Sequence, residues 1–292
     1  MSKINSDGYV DRAFSDLKSY FLQGTYTNNG TLIKALAFGG HEKTYQSWDG
    51  LTQEQLEENR RQNPLTYENE IDNYNQDHYQ LHWNQKIDQN WSTNLGLNYT
   101  KGRGYFEQYR ADDDASTYDG IVEATGVDSF GTAVTDLIRR RWLDNDYYVV
   151  NAAVNYEAAA LDLILGGSYS TYDGDHYGEI IWARQFSENA SIRDQYYFGN
   201  GRKTDFSVFA KATYTLTSKI DVFGDLQFRN VGYKTTGLTS DLGHMLIDET
   251  YDFFNPKLGV TFQFAPNSNV YASYARANRE PSRSDFESNP NI

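Results

Sequence analysis

Pairs of segments in which apolar and polar residues alternate recur along nearly the whole chain of 292 residues. Residues 74–87 show the pattern most clearly, because an extended strand would place Tyr79 and Leu81 on one face and His78 and Gln80 on the other. A further nine segments repeat this alternation. The sequence therefore predicts about ten antiparallel strands arranged as five hairpins.

Short and long connections alternate between these strands. At Asn28–Gly30 the Asn-Gly step supplies the positive φ angles of a tight hairpin turn. Long polar connections are expected at residues 39–75, 104–141, 172–201 and 235–252. Within the first of them, Thr52 and Gln55 predict a capping box that opens a short helix ending before Pro64. This asymmetry is typical of a transmembrane β-barrel, with short turns facing the periplasm and long loops facing outward. The predicted short turns are Asn28–Gly30, Asp88–Asn90, Glu157–Ala160, Thr217–Ser218 and Ala265–Asn269.

A soluble β-sandwich would also have alternating strands, since one face of each sheet is buried. Three observations favour a membrane barrel. Aromatic residues occur at strand ends, the face opposite the apolar one is polar and rich in Asn, Gln, Ser and Gly, and the loop lengths alternate. Aromatic residues make up 15% of the chain, including 24 Tyr. The predicted fold class is therefore all-β, an antiparallel up-and-down transmembrane barrel.

Charge and composition exclude several function classes. A net charge of −14 argues against nucleic acid as a partner, and the absence of cysteine removes thiol chemistry and disulfides. His78 and His82 would share a strand face about 13 Å apart, too far to hold one metal ion. Asp112–Asp114 lacks the spacing of a calcium loop. The sequence predicts no enzyme, no catalytic residue, no metal site and no cofactor.

Aromatic and basic residues in the long connections are the candidates for ligand contact. Such side chains give large contact areas at a low entropic cost, so they could hold a ligand above a pore. The alternative is that they pack the loops against one another. The candidate residues are Tyr45, Trp48, Tyr105, Phe106, Tyr109, Trp182, Arg184, Tyr196 and Tyr197.

Several stretches together resemble the barrel region of TonB-dependent outer-membrane receptors, especially those of Bacteroidetes. The most specific is Asn278–Phe286, which contains Asn-Arg-Glu-Pro; the others are Phe253–Gly259, Tyr271–Ala275, Gly178–Arg184, and Asp7-Gly8-Tyr9 with Asp11-Arg12. The resemblance covers essentially the whole chain.

The resemblance implies a barrel of about 22 strands filled by an N-terminal plug. Residues 1–292 are then expected to form one partial barrel domain, an internal fragment without the plug or the closing strands. The whole receptor would sit in the outer membrane of a Gram-negative bacterium. Its partners would be outer-membrane lipid, the TonB complex acting through the missing plug, and a scarce imported solute such as a ferric siderophore, haem, cobalamin or a glycan.

Two other functions remain open at this point. A secreted β-rich carbohydrate-binding module could stack sugars on the same loop aromatics. The hypothesis of a surface hydrolase is supported only by the acidic residues. These are too numerous for any two of them to be identified as a catalytic acid and base.

Overall fold

A computed structural model describes residues 1–288 of the chain. Within them, twelve strands form one antiparallel sheet, in which eleven strands follow one another as a meander and the short β6 pairs only with β7. The strands are β1 Ser2–Ser6, β2 Ser15–Asn28, β3 Thr31–Tyr45, β4 Ile71–Lys86, β5 Trp91–Asp114, β6 Gly126–Val127, β7 Ala133–Glu157, β8 Leu161–Ala183, β9 Gln195–Thr217, β10 Ile220–Leu238, β11 His244–Ala265 and β12 Ser268–Ala275.

The ten strands expected from the sequence correspond to β2–β5 and β7–β12, and the structure adds only β1 and β6. All five short turns lie where they were predicted. In the first turn Asn29 and Gly30 both have positive φ, at 42° and 82°. The outer strands β1 and β12 are not paired with each other, so the sheet is an open, partial barrel.

The long connections are much shorter than predicted, because the strands continue past the points where alternation fades. The expected loop at 104–141 is mostly strand, since β5 runs to Asp114 and β7 begins at Ala133. The same correction applies to residues 172–201 and 235–252. The physical reason is that both faces meet polar surroundings there. The backbone hydrogen bonds between the strands continue, while the difference in hydropathy between the two faces of the sheet disappears.

A short helix in the β3–β4 connection, α1 Gln53–Glu58, confirms the predicted capping box. The Thr52 hydroxyl accepts a hydrogen bond from the Gln55 backbone, and the Gln55 side chain accepts one from the Thr52 backbone. The helix ends at Asn59, before Pro64, as expected.

One face of the sheet carries a continuous apolar band next to the short turns. Tyr99 lies opposite Tyr148 at the edge far from the short turns, and Leu97 lies opposite Val150 within the band. Trp91 lies opposite Tyr156 at the edge next to the short turns. Rows of aromatic rings therefore border aliphatic side chains on both sides, which is the pattern of a lipid-facing barrel wall. Exposed members of the band include Tyr79, Leu81, Val154, Leu165, Tyr169, Phe206, Val208, Tyr214, Leu226, Phe228, Phe254, Leu258, Val260 and Phe262.

None of the helices in residues 1–288 is both long enough and apolar enough to span a membrane.

The other face of the sheet is polar and is partly covered by the chain after β12. This strap, residues 276–288, ends in the short helix α2 Arg283–Ser288. The strap is tied to β11 by a hydrogen bond of 3.0 Å from the Asn278 backbone to the Asn255 side chain. It is tied to β10 by Phe286, whose ring stacks on Tyr233 at 5.4 Å.

Glu280 is the charged centre of the strap. It is buried and forms ion pairs with Lys203 of β9 and with Arg229 of β10, the latter at 2.8 Å. Arg229 also pairs with Asp205. Burial alone would raise the pKa of Glu280, but hydrogen bonds from Lys203 and Arg229 outweigh it and lower that pKa to about 2.

We expect Glu280→Gln to loosen the strap. The variant leaves Lys203 and Arg229 without their carboxylate partner, which costs on the order of 1–3 kcal/mol for a partly exposed pair. Trypsin should then cut after Arg276 and Arg279 about ten times faster, as followed by mass spectrometry. Glu188→Gln, in an exposed loop, is the control; equal cleavage of both variants would contradict a locking role for Glu280.

Acid should loosen the same strap in the unmodified protein. Because the pKa of folded Glu280 lies below the unfolded value of about 4.3, its contribution to stability is complete above that value. The contribution falls as the pH drops from about 4.3 towards 2. The protection factor of the Asn278 amide, which is its intrinsic hydrogen-exchange rate divided by the observed rate at each pH, should fall with acid in wild type and stay constant in Glu280→Gln.

Candidate functional site

The candidate site lies on the polar face of the sheet and is further from the short turns than the apolar band is. Positions further from the short turns are described as higher or above. Two adjacent lines of residues cross strands β4, β5, β7, β8 and β9 in register. One line is Asp72, Phe106, Arg141, Gly178 and Tyr197, and the next is Tyr74, Gly104, Leu143, His176 and Gly199. Alternate residues share a face, so both lines face the same way.

A cavity of about 350 Å³ opens on these two lines. Its floor depends on glycine, because a Cβ at Gly104 would lie 2.6 Å from the Tyr74 ring. Without that Cβ, the Tyr74 ring can lie flat against the wall. The cavity is lined by Glu42, Asp72, Tyr74, Gly104, Tyr105, Phe106, Arg141, Trp142, Leu143, His176 and Tyr197. Tyr105 and Trp142 belong to this lining although strand alternation places their side chains on the opposite face of the sheet.

Phe106 and Arg141 form the cationic and aromatic side of the cavity. The Arg141 guanidinium lies 5.1 Å from the centre of the Phe106 ring, within the range of a cation–π interaction. Trp48, from the β3–β4 connection, meets Phe106 edge-on at 6.0 Å. Trp48 is 62% exposed, so this loop residue brings an aromatic surface to the cavity mouth.

Carboxylates line the opposite side of the cavity. Glu42 of β3 is the register partner of Tyr74 and therefore lies diagonal to Asp72 of β4. Burial and, secondly, the negative charge of Glu42 raise the pKa of Asp72. The cavity therefore has an acidic side and a side with Arg141, so it can hold a solute that carries both polar and aromatic groups.

A compact tyrosine core lies beside the cavity and holds its outer end in place. Tyr118, from the β5–β7 connection, is fully buried and packs edge-on against Tyr196 of β9 at 4.9 Å. The Tyr118 hydroxyl donates to Asp113 at 2.6 Å and accepts from Arg139 at 2.8 Å. Burial raises the pKa of Tyr196 to about 12. This network anchors the connection to β7 and β9.

The nine residues that the sequence predicted to contact a ligand from loops lie at different places in the structure. Only Trp48 and Arg184 lie outside strands; placing the other seven in loops was wrong, because the strands extend further than expected. Tyr105, Phe106 and Tyr197 line the cavity, although the Tyr105 side chain lies on the opposite face of β5, and Trp48 reaches the cavity edge.

The remaining candidates lie elsewhere. Tyr45 is buried, and its hydroxyl donates to two backbone carbonyls, those of Leu65 and Tyr67. Arg184 forms an ion pair with Asp136. The other positions are Tyr109 beside the Tyr67 ring, Trp182 near the end of β8, and Tyr196 in the tyrosine core.

Sequence reasoning missed Glu42, Asp72, Tyr74, Arg141 and His176. These residues fell inside or at the borders of segments predicted to be loops. A signal was present, because Tyr74, Gly104 and His176 continue the period-two spacing of the strands they extend. The spacing is the whole of that signal, because neither face of the sheet is apolar this far from the short turns.

Within residues 1–288, no group of three or more His, Cys, Asp or Glu side chains is arranged to hold a metal ion. The described cavity offers ring surfaces, hydrogen-bonding groups and opposite charges. These are means of binding a solute by contact.

Comparison with solved structures shows the same fold in bacterial import receptors. The ferric-catecholate import receptor Fiu from E. coli K12, in its open form, matches with a TM-score of 0.64 at 12% identity, over 94% of this chain and 48% of that one. The siderophore receptor PiuA from Acinetobacter baumannii matches with a TM-score of 0.64 at 13% identity, over 92% and 43%. The copper transporter OprC matches with a TM-score of 0.63 at 12% identity, over 96% and 40%.

The chain thus spans less than half the length of these structures. No curated protein sequence matches it. A family model described as "TonB dependent receptor-like, beta-barrel" matches residues 7–291, which is nearly the whole chain. The expected resemblance is confirmed: the chain belongs to the TonB-dependent receptor-like β-barrel family, a family of transport receptors of the Gram-negative outer membrane.

Proposed function

We propose that this chain forms part of the wall of an outer-membrane receptor that binds a scarce solute in the described cavity and imports it. The observation that carries the proposal is the position of the cavity. It opens on the polar face of the sheet, opposite the apolar band, and so on the inside of a barrel whose outside faces lipid. A solute entering from the long-loop side reaches the cavity first.

Transport through a plugged barrel needs energy from the inner membrane. We propose that the TonB complex supplies it through a plug domain that fills the barrel, with residues 1–292 as the partial barrel domain. Candidate solutes are ferric siderophores, haem, cobalamin and glycans. Fiu, named as a ferric-catecholate import receptor, and PiuA, named as a siderophore receptor, support the first class. OprC, named as a copper transporter, shows that the fold also serves other solutes.

The secreted carbohydrate-binding module is less well supported by the structure. Such a module would bury its apolar strand faces in a core, as soluble sandwiches do. Here the large apolar side chains of the band, such as Leu165 and Phe254, are about half exposed.

The proposed orientation predicts which single cysteines can be labelled from outside the cell. The chain has no cysteine, so each introduced thiol is unique. Ser187→Cys, in the β8–β9 connection, should react with a membrane-impermeant maleimide on intact cells. Gln89→Cys, in the β4–β5 turn, should react only after the outer membrane is opened. Labelling of Gln89→Cys on intact cells would invalidate the proposed orientation.

Uptake measurements test the cavity itself. Cells that lack other receptors of this family and produce the receptor containing this chain are offered ⁵⁵Fe-enterobactin, haemin, ⁵⁷Co-cyanocobalamin or ¹⁴C-maltoheptaose. For whichever probe enters, Phe106→Ala and Arg141→Ala should each lower uptake at limiting concentration by about tenfold, because a stacking or charged contact is lost.

Lys211→Ala is the matched control for these variants. Lys211 makes the same kind of contact, 5.5 Å from the Phe223 ring, but lies on strand β9 near the short turns. It should leave uptake unchanged. Full uptake by both cavity variants would show that the solute binds elsewhere.

A further inference from the structure

An aromatic ladder crosses the outer face of the sheet above the apolar band. It consists of Tyr105, Trp142, Tyr177 and Phe198, which are direct register partners on β5, β7, β8 and β9. Successive ring centres are 4.6, 5.9 and 6.4 Å apart, and the Trp142 and Tyr177 planes differ by only 10°. The Tyr105 ring is tilted by 50° to that of Trp142, and the four rings form one continuous strip.

The ladder is held from both sides and remains accessible. The Arg140 guanidinium lies 4.3 Å from the centre of the Tyr105 ring, and that of Arg103 lies 5.2 Å from Trp142. The Trp142 indole N–H donates to Glu179 at 3.0 Å. Phe198 is 45% exposed, and the other three rings are half-buried. These contacts hold the Tyr105 and Trp142 rings in place, and Phe198, at the other end of the ladder, is the most exposed of the four rings.

A belt of charged and amide side chains separates the ladder from the apolar band. Lys101 pairs with Asp144 at 2.7 Å and with Asp146 at 2.8 Å, and Arg103 pairs with Asp144 at 3.2 Å. Further along the belt, the Asn200 side chain donates to Asp173 and Asp175, and Arg202 also pairs with Asp173. From the band outward, the layers are apolar, charged and aromatic.

The height of the ladder limits what can reach it. Tyr105 lies six residues beyond Tyr99, the upper aromatic of the band on β5. At about 3.3 Å per residue and a tilt of about 40°, the ladder lies roughly 15 Å above the hydrocarbon edge. A phospholipid headgroup layer reaches only about 5–8 Å. A lipid that touches the ladder must therefore have a longer head.

We propose that the ladder binds the multi-sugar head of an outer-leaflet glycolipid. Sugar rings present flat C–H faces that stack on aromatic rings, while the carboxylates, amides and guanidinium groups of the belt bind their hydroxyl groups. The strip lies on the same face of the sheet as the apolar band, which holds the acyl chains of the same lipid, and the charged belt lies between the two. This inference rests on the proposed outer-membrane location, but the surface lies opposite the cavity.

A second copy of the chain fits this surface less well. A large aromatic side chain buries about 150–250 Å² at most. Four half-buried rings thus offer roughly 400 Å², well below the ~800 Å² per partner of a stable protein interface. A sugar chain needs only the strip itself.

The experiment compares two glycolipids and two surfaces. The receptor, purified in detergent, is titrated with full-core lipopolysaccharide or with a deep-rough form that lacks the outer sugars. Wild type should bind the full-core form more tightly. The double variant Tyr177→Ser with Phe198→Ser should bind it about tenfold more weakly and should no longer distinguish the two forms.

Two further proteins control for folding and for general loss of aromatic surface. Tyr177→Leu with Phe198→Leu keeps apolar bulk for strand packing but removes the rings, so it should also lose the preference. Trp48→Ser with Phe130→Ser removes two exposed aromatics elsewhere and should keep it.

Two outcomes would overturn the proposal. One is equal binding of both lipopolysaccharides by wild type. The other is a change of oligomeric state in the ladder variants with the lipid preference intact, which would assign the strip to a protein partner. Uptake of the transported probe should stay normal in the ladder variants, so a failure here differs from a failure of the proposed transport function.

Discussion

The hydrogen-bonded register between neighbouring strands is the constraint on which the rest of the molecule depends. Each of β2–β5 and β7–β11 is hydrogen-bonded to a neighbouring strand on both of its sides. Because side chains alternate between faces, a slip of one residue would exchange the two faces of a strand. Arg141 and Trp142 are neighbours in sequence, yet one belongs to the cavity line and the other to the outer ladder. Their separation exists only in this register.

Near the short turns, the pattern of apolar residues and the strand register assign the same residues to the same face of the sheet. That region was therefore predicted well from the sequence. The apolar positions around Leu97 and Val150 lie on the face assigned to them, and the Asn29-Gly30 turn has the positive φ angles that its residues favour. The Thr52 capping box was also predictable, because it depends on residues three positions apart. Local chemistry determines all of these features.

Further from the turns the prediction failed, for a physical reason. Above the band both faces meet polar surroundings, so polar residues such as Asp72 and Arg103 occur on either side and hydropathy no longer marks a strand. Phe106 was therefore assigned to a loop, although it lies within β5. The strap could not be predicted either. Glu280 meets Lys203 and Arg229 across more than 50 residues of chain, and no local pattern encodes that contact.

The identity of the register partner decides what an aromatic ring does in this sheet. On the inner face, Gly104 lies opposite Tyr74, so the ring lies flat over the glycine and the wall keeps a hollow. On the outer face, Trp142 lies opposite Tyr177, so the two rings lie nearly parallel and form part of a continuous strip. A hollow suits a compact solute with mixed polar and aromatic groups, whereas a strip suits an extended chain of rings. One sheet can thus present two unlike binding surfaces, because the same kind of residue meets glycine on one face and another ring on the other.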